Sequence, residues 1–172
     1  MNRVTVLGLG MGSEGTLTQE ARQALLEAAQ IVGAPRLLSS LPEGCTECRT
    51  AAIKPGDIAG ALSRFPACVV MSGDTGFFSG AKKLLPLLQN YEVTVLPGLT
   101  TVQYFAARLG RPWQDVRLVS AHGLACDAVA EVLHGKETFF LTGGQVTPKV
   151  IAAQLTEAGL GDLVLHVGQR LS

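Results

Sequence analysis

Short runs of β-branched and apolar residues alternate along this chain with stretches in which apolar positions recur every three or four residues. Runs at 4–9, 30–33, 68–72, 93–96, 117–121, 138–142 and 163–167 each predict a strand. Leu17, Ala21, Leu25 and Ala28 fall on one face of a helix predicted over 17–29, which Thr16 or Thr18 can cap. The same spacing predicts helices over 56–64 behind Pro55, over 79–88, over 101–109 before Gly110, over 126–133, and over 148–158 before Gly159. The stretch 34–53, with Pro35, Pro42 and Gly44, has no clean period and reads as a loop or a mobile flap.

Strands separated by helices are the mark of βαβ units, so the fold class is α/β with a mostly parallel sheet. Gly110-Arg111-Pro112-Trp113 breaks a helix with turn residues and precedes a new strand pattern. This places an N-terminal α/β lobe at 1–110 and a smaller, mixed α/β lobe at 111–172.

Charge narrows the choice of partner. Fourteen basic residues balance fourteen acidic ones, so no global field draws the protein to nucleic acid or to an anionic membrane, and an anionic ligand must be met locally. The N-terminus runs directly into the first strand pattern with no leader-like segment, and no apolar run approaches the ~20 residues of a membrane helix. A cytoplasmic, soluble protein is the expectation. Of the four cysteines, only Cys45 and Cys48 have a usable spacing. No second ligand pair accompanies them, so the pair reads as incidental and no metal is expected.

Candidate chemistry sits where strand patterns end. The first ends in Gly8-Leu9-Gly10-Met11-Gly12-Ser13-Glu14-Gly15, whose glycines let backbone amides approach a ligand. Gly10, Gly12 and Gly15 match the spacing of a dinucleotide turn, which makes a nicotinamide-binding oxidoreductase the rival reading. That reading requires an acidic residue at the end of the second strand, where Ile31-Val32-Gly33-Ala34 has none. The third strand pattern ends in Ser72-Gly73-Asp74-Thr75-Gly76-Phe77-Phe78-Ser79-Gly80. Asp74 either caps this turn or faces a ligand, and these residues alone leave both open. Leu96-Pro97-Gly98-Leu99-Thr100-Thr101 and Phe140-Leu141-Thr142-Gly143-Gly144 end two further strands. Ligands of open parallel sheets bind at carboxyl ends of strands, so one shared cleft is the economical reading.

Taken together, these motifs resemble the tetrapyrrole (corrin/porphyrin) methylase family, with its glycine-rich first loop, Gly-Asp loop and Pro-Gly-Leu-Thr-Thr segment. The resemblance runs along essentially the whole chain. Ser72 to Ala81, Val102 to Gly110 and Val119-Ser120-Ala121-His122-Gly123 look like the branch that methylates carbon 5 of precorrin-7 or cobalt-precorrin-7 (CbiE, also the N-terminal part of the fused enzyme CobL). Thr75 stands where many relatives carry proline, which suits that branch. Met11, Ser13 and Glu14 depart from the Pro-Gly-Asp of many relatives, which weakens the first loop's assignment. Relatives usually continue some tens of residues further, so a last strand pair is expected to be truncated.

The resemblance implies a two-lobed methyltransferase with a ligand cleft between the lobes and S-adenosylmethionine as methyl donor, S-adenosylhomocysteine being its product. Donor contacts carry over to Ser72, Gly73, Asp74 and Phe77, to Thr100 and Thr101, to Leu141 and Thr142, and to Gly168, with Leu7 and Gly8 as weaker additions. His122 is the candidate for receiving a proton from the methylated ring, although ordering a turn explains it as well. Arg36, Arg108 and Arg111 are candidate clamps for the carboxylates of a tetrapyrrole, with surface solvation as the plainer reading. A homodimer is expected, as is a separate enzyme that methylates carbon 15 and decarboxylates. A non-catalytic module that binds a nucleotide or S-adenosylmethionine as a signal is the third reading.

Overall fold

The structure, a computed structural model, describes residues 1–123, 125–169 and 171. The chain divides into two compact units, Met1–Thr101 and Val102–Leu171. The division falls at the start of the helix that Gly110 ends. That helix counts with the second unit, where the ring of Phe105 lies 6.3 Å from that of Phe139.

The first unit holds strands β1 (Arg3–Gly8), β2 (Gln30–Gly33), β3 (Arg49–Ala51), β4 (Ala67–Met71) and β5 (Glu92–Leu96), with helices α1 (Gln19–Glu27), α2 (Pro35–Leu38), α3 (Pro55–Ala61) and α4 (Ala81–Leu84) between them. All pairings are parallel, and the strand order is β3-β2-β4-β1-β5. Alternate residues of β1, β2 and β4 feed opposite cores, as the pleat requires. Leu7, Ile31, Cys68 and Val70 pack with Ala21 and Leu25 of α1 and with Leu37 and Leu38 of α2. Val4, Val6, Val32, Ala67 and Val69 pack with Ile58 of α3 and Leu84 of α4 on the other face. β4, covered on both sides, is therefore a continuous apolar run in which Ala67, Cys68, Val69 and Val70 are all buried.

Helices on opposite faces create a switch point. The chain leaves β1 toward the face carrying α1, whereas it leaves neighbouring β4 toward the face carrying α4. The turns after these two adjacent strands lead to opposite faces of the sheet, and the carboxyl ends of such a strand pair are where doubly wound sheets bind ligands.

Several expected elements change form. α1 starts after Thr18, whose hydroxyl accepts from the Ala21 N–H at 3.2 Å, so Thr18 and not Thr16 is the cap. The expected helix at 79–88 is α only over Ala81–Leu84, and Leu85–Leu88 continues it as a 3-10 turn. Pro86 has no N–H to complete a longer α-ladder. α3 stops at Ala61 because the side-chain oxygen of buried Gln30 takes the N–H groups of Ser63 and Arg64, at 2.9 and 3.1 Å. The stretch 34–53 is not a plain loop, for it contains α2, opened by Pro35, and the short edge strand β3.

The second unit contains α5 (Thr101–Leu109), whose first residue belongs to the first unit, then β6 (Arg117–His122), α6 (Ala128–Val132), β7 (Thr138–Gly143) and α7 (Pro148–Glu157). β6 and β7 form a two-stranded parallel sheet. Ala128, Ile151 and Leu155 centre its core, with Phe140 and Val146 against them. Asp127 caps α6 and Thr147 caps α7 through their side-chain oxygens. The strand expected at 163–167 is absent from the assigned elements. Its β-branched and apolar residues are exposed, and strand preference without a paired neighbour does not make a strand. Among the described residues, no helix is long and apolar enough to cross a membrane.

Candidate active site

Three turns of the first unit converge where β1, β4 and β5 end. Leu7 pairs with Val70 on one side and Leu96 on the other, so the turns that follow start level. Gly10 and Gly73 exchange two backbone hydrogen bonds, Gly10 N–H to Gly73 O at 3.1 Å and Gly73 N–H to Gly10 O at 3.0 Å. Both adopt positive φ, 60° and 67°, which an L side chain resists. A methyl group on Gly8 would overlap the Gly73 carbonyl oxygen and stand 2.9 Å from the Gly98 nitrogen. A methyl group on Gly98 would meet the same carbonyl. Glycine at 8 and 98 therefore lets three main-chain segments touch.

Asp74 fastens this junction. Its Oδ1 accepts from the Gly98 N–H at 2.9 Å, and its Oδ2 accepts from the Gly76 N–H at 2.8 Å. The capping reading of Asp74 is thus realised, across two turns at once. Its two oxygens retain further lone pairs, so a ligand contact remains open to it. Thr75 adds a second tie, its hydroxyl donating to the Leu96 carbonyl at 3.3 Å. Phe77 and Phe78 stand next to each other with ring centroids 4.6 Å apart, and Phe78 is half exposed at φ 47°. A non-glycine residue held there stores backbone strain, a feature concentrated at ligand-facing turns.

The dinucleotide reading fails on geometry. Gly15 lies in the 3-10 turn Glu14–Thr16 rather than inside a helix, and nothing lies within 4 Å of a methyl group built on it. The third glycine of a dinucleotide turn is needed for close helix–strand packing, which is missing here. The first turn is instead held locally, with the Thr16 hydroxyl accepting from the Met11 N–H at 3.1 Å and donating to the Ser13 carbonyl at 2.9 Å.

Residues expected at the site fall into two groups. In the first unit, Gly8, Gly73 and Asp74 meet directly, and Ser72, Phe77, Thr100 and Thr101 lie in the same three turns, Thr100 being buried. Leu7 is fully buried, and its side chain belongs to the core. Arg36 lies apart in the last turn of α2, exposed. In the second unit, Leu141 and Thr142 pair with Ser120 and Ala121, two steps and one step before the pair His122 and Gly143 that ends both strands. Gly168 is exposed, and a methyl group on it would stand 2.8 Å from the Phe105 ring. Arg108 donates to the Tyr104 hydroxyl at 2.8 Å with its guanidinium 5.1 Å from that ring, and Arg111 is paired with Glu137. Sequence reasoning missed Gly98 as the partner of Asp74. Its signal was Pro97-Gly98, a turn pair directly after a strand.

A model of the tetrapyrrole (corrin/porphyrin) methylases matches residues 3–172. The chain belongs to this family. It is 27% identical to the cobalt-precorrin-7 C(5)-methyltransferase of Salmonella typhimurium, covering 98% of this chain and 85% of that protein. It is 31% identical to the precorrin-6Y C(5,15)-methyltransferase [decarboxylating] of Sinorhizobium sp, again over 98% of this chain but over 42% of that longer protein. Among solved structures, the methyltransferase CobJ superposes with a TM-score of 0.69 at 26% identity, covering 91% of this chain and 76% of that one.

Tetrapyrrole methylases are S-adenosylmethionine-dependent methyltransferases, so this chain is an enzyme of that class. The three turns fit such a donor. Segments 8–15, 73–80 and 96–101 contain no lysine or arginine and carry the acids Glu14 and Asp74. A sulfonium cation meets no like charge there. The rest of these segments is glycine, hydroxyl-bearing and apolar residues together with the Phe77–Phe78 pair, a composition suited to an adenosyl group.

Proposed function

We propose that this protein transfers a methyl group from S-adenosylmethionine to carbon 5 of a corrin-ring intermediate, cobalt-precorrin-7 or the cobalt-free precorrin-6Y/7, in cobalamin biosynthesis. The observation that carries the reading is the meeting of three cation-free glycine turns at the ends of β1, β4 and β5, fastened by Asp74. Both relatives described above carry names that specify carbon-5 methylation, which supports this ring position.

When bound, the donor supplies an activated methyl that the electron-rich ring carbon attacks in line, the S–C bond breaking and its electron pair staying on sulfur as a thioether. The protein's part is alignment and exclusion of water. Alignment can contribute roughly 7 to 11 kcal/mol, against ~3 to 5 for one acid or base giving a 10²- to 10⁴-fold effect, so a site without a charged triad is adequate. Ser72, Gly73, Asp74, Phe77, Thr100 and Thr101 hold the donor, with Gly8 contributing backbone and Leu7 only its main chain. Leu141, Thr142 and Gly168 carry over as donor contacts by family resemblance alone.

Methylation leaves the macrocycle with one positive charge more, and His122 accepts the proton whose departure neutralises it. Arg36, which makes no ion pair among the described residues, is the better candidate for a substrate carboxylate than Arg111, which already pairs with Glu137. Arg108 gives one guanidinium nitrogen to Tyr104 and keeps further N–H groups with which to meet a carboxylate. The protein acts in the cytoplasm as a homodimer, alongside a separate enzyme for carbon 15.

Calorimetry tests the donor: S-adenosylmethionine and S-adenosylhomocysteine bind and NAD does not. Transfer of a ¹³C-labelled methyl to carbon 5, read by carbon NMR, tests the reaction and separates an enzyme from a signal-binding module. Binding of NAD in place of the sulfonium, or no transfer to any corrin, sinks the reading.

A further inference from the structure

His122 and Gly143 are the last paired residues of β6 and β7. A methyl group built on Gly143 would overlap the His122 imidazole at Nδ1, and would stand 2.6 Å from its Cε1 and 3.0 Å from its Cγ. The ring therefore lies across the Gly143 α-carbon, in space that any other residue would fill. Gly143 is not among the glycines of positive φ, so its own backbone does not demand glycine. Its main chain is also held: its N–H donates to the Val146 carbonyl at 3.1 Å, and its carbonyl accepts from the Gly123 N–H at 3.5 Å. The flanking glycines at 123 and 144 do adopt positive φ, 73° and 67°, and form the turns that leave both strands. With the Gly143 backbone fixed at both groups, an added methyl displaces the ring and not the strand.

We propose that Gly143 is the positioning residue for His122. The absence of a side chain at 143 is the seat of the imidazole, so the register of β6 on β7 fixes the ring while His122 stays exposed to a reactant. A ring seated by strand register arrives already oriented, which a group that takes a proton at one nitrogen requires. The catalytic half of this proposal rests on His122 receiving the proton, as assigned above; the seat itself does not.

The experiment compares wild type, Gly143→Ala, His122→Ala and the double variant. The chain has three histidines, so His134 and His166 serve as internal controls in a ¹H–¹³C spectrum of the imidazoles. In Gly143→Ala the His122 Cε1–H resonance moves while those of His134 and His166 stay. An unmoved resonance overturns the seat. If Gly143→Ala does not fold, the double variant, which lacks the ring, folds as His122→Ala does; a double variant that also fails to fold overturns the seat as well. In single-turnover methyl transfer, Gly143→Ala and His122→Ala each lose on the order of 10²-fold, the double variant loses no more than His122→Ala, and donor affinity is unchanged in all. A full rate in Gly143→Ala with a shifted resonance overturns the positioning role. Full rates in both single variants overturn the assignment of His122 together with that role. Wild type that transfers no methyl fails the functional reading alone, because the resonance still decides the seat.

Discussion

Asp74 concentrates the organisation of the glycine turns in one carboxylate. Replacing it with Ala removes acceptors from Gly76 and Gly98, and a part-buried N–H left without a partner costs about 1–3 kcal/mol. We expect Asp74→Ala to lower the urea midpoint accordingly and to weaken S-adenosylmethionine on the order of tenfold or more by calorimetry. Asp74→Asn keeps one acceptor oxygen and should recover part of both losses; an Asn variant no better than Ala would contradict the pinning role. Cys68 supplies a pH-dependent counterpart in the core. Burial, with Cys45 nearby as a smaller contribution, pushes its thiol from the ordinary value near 9 up to about 12. The folded state therefore holds this proton more tightly than the unfolded chain does. The resulting stability is fully present below pH 9 and is lost as pH rises toward 12. Urea midpoints between pH 8 and 11 should fall more steeply for wild type than for Cys68→Ala, and parallel curves would refute the claim.

At the scale of elements, the close approach of β1, β4 and β5 rests on glycines with no room for a side chain. Gly8→Ala and Gly98→Ala should each cost about 1–3 kcal/mol or more by overpacking against backbone that cannot swing away. Gly12→Ala meets open space, and its cost comes from positive φ alone. Thermal melts that rank Gly12→Ala as the worst of the three would contradict this geometry. Gln30 plays the corresponding part at the other end of β2, its side chain joining Thr50, Ala61, Ser63 and Arg64. Gln30→Leu should lower the unfolding free energy, read from urea melts, by about 1–3 kcal/mol for each N–H it orphans. The positions of β1, β2, β4 and β5 were legible because their apolar runs are buried on both faces or bounded by glycine turns. β3 and α2 were not, since β3 is three residues long at a sheet edge and α2 is a single turn started by Pro35. The early end of α3 was equally illegible, because it depends on the Gln30 side chain, distant in sequence. The turns after β1, β4 and β5 could be read as glycine-rich strand ends. What the glycines do there, pack against each other across three strands, required the register.

For the whole molecule, the two units differ in how much core they own. The first has two extensive apolar clusters, whereas the second centres on Ala128, Ile151 and Leu155 beneath a sheet of two strands. Local opening follows buried contact, so amide exchange should be slowest in β1 and β4 and clearly faster in β6 and β7. Equal protection in the two sheets, by mass spectrometry of exchanged peptides, would show that the second unit draws stability from elsewhere. The strand order also bears on how the protein is made. β1 occupies an inner place in the sheet, yet its neighbours Ala67–Met71 and Glu92–Leu96 are synthesised far later than it is. Until they emerge, Val4, Val6 and Leu7 have no pleated surface to join, and the nascent polypeptide carries a sticky, unsatisfied ribbon. Holding that ribbon apart from its own kind during translation is therefore a demand that the architecture places on the cell.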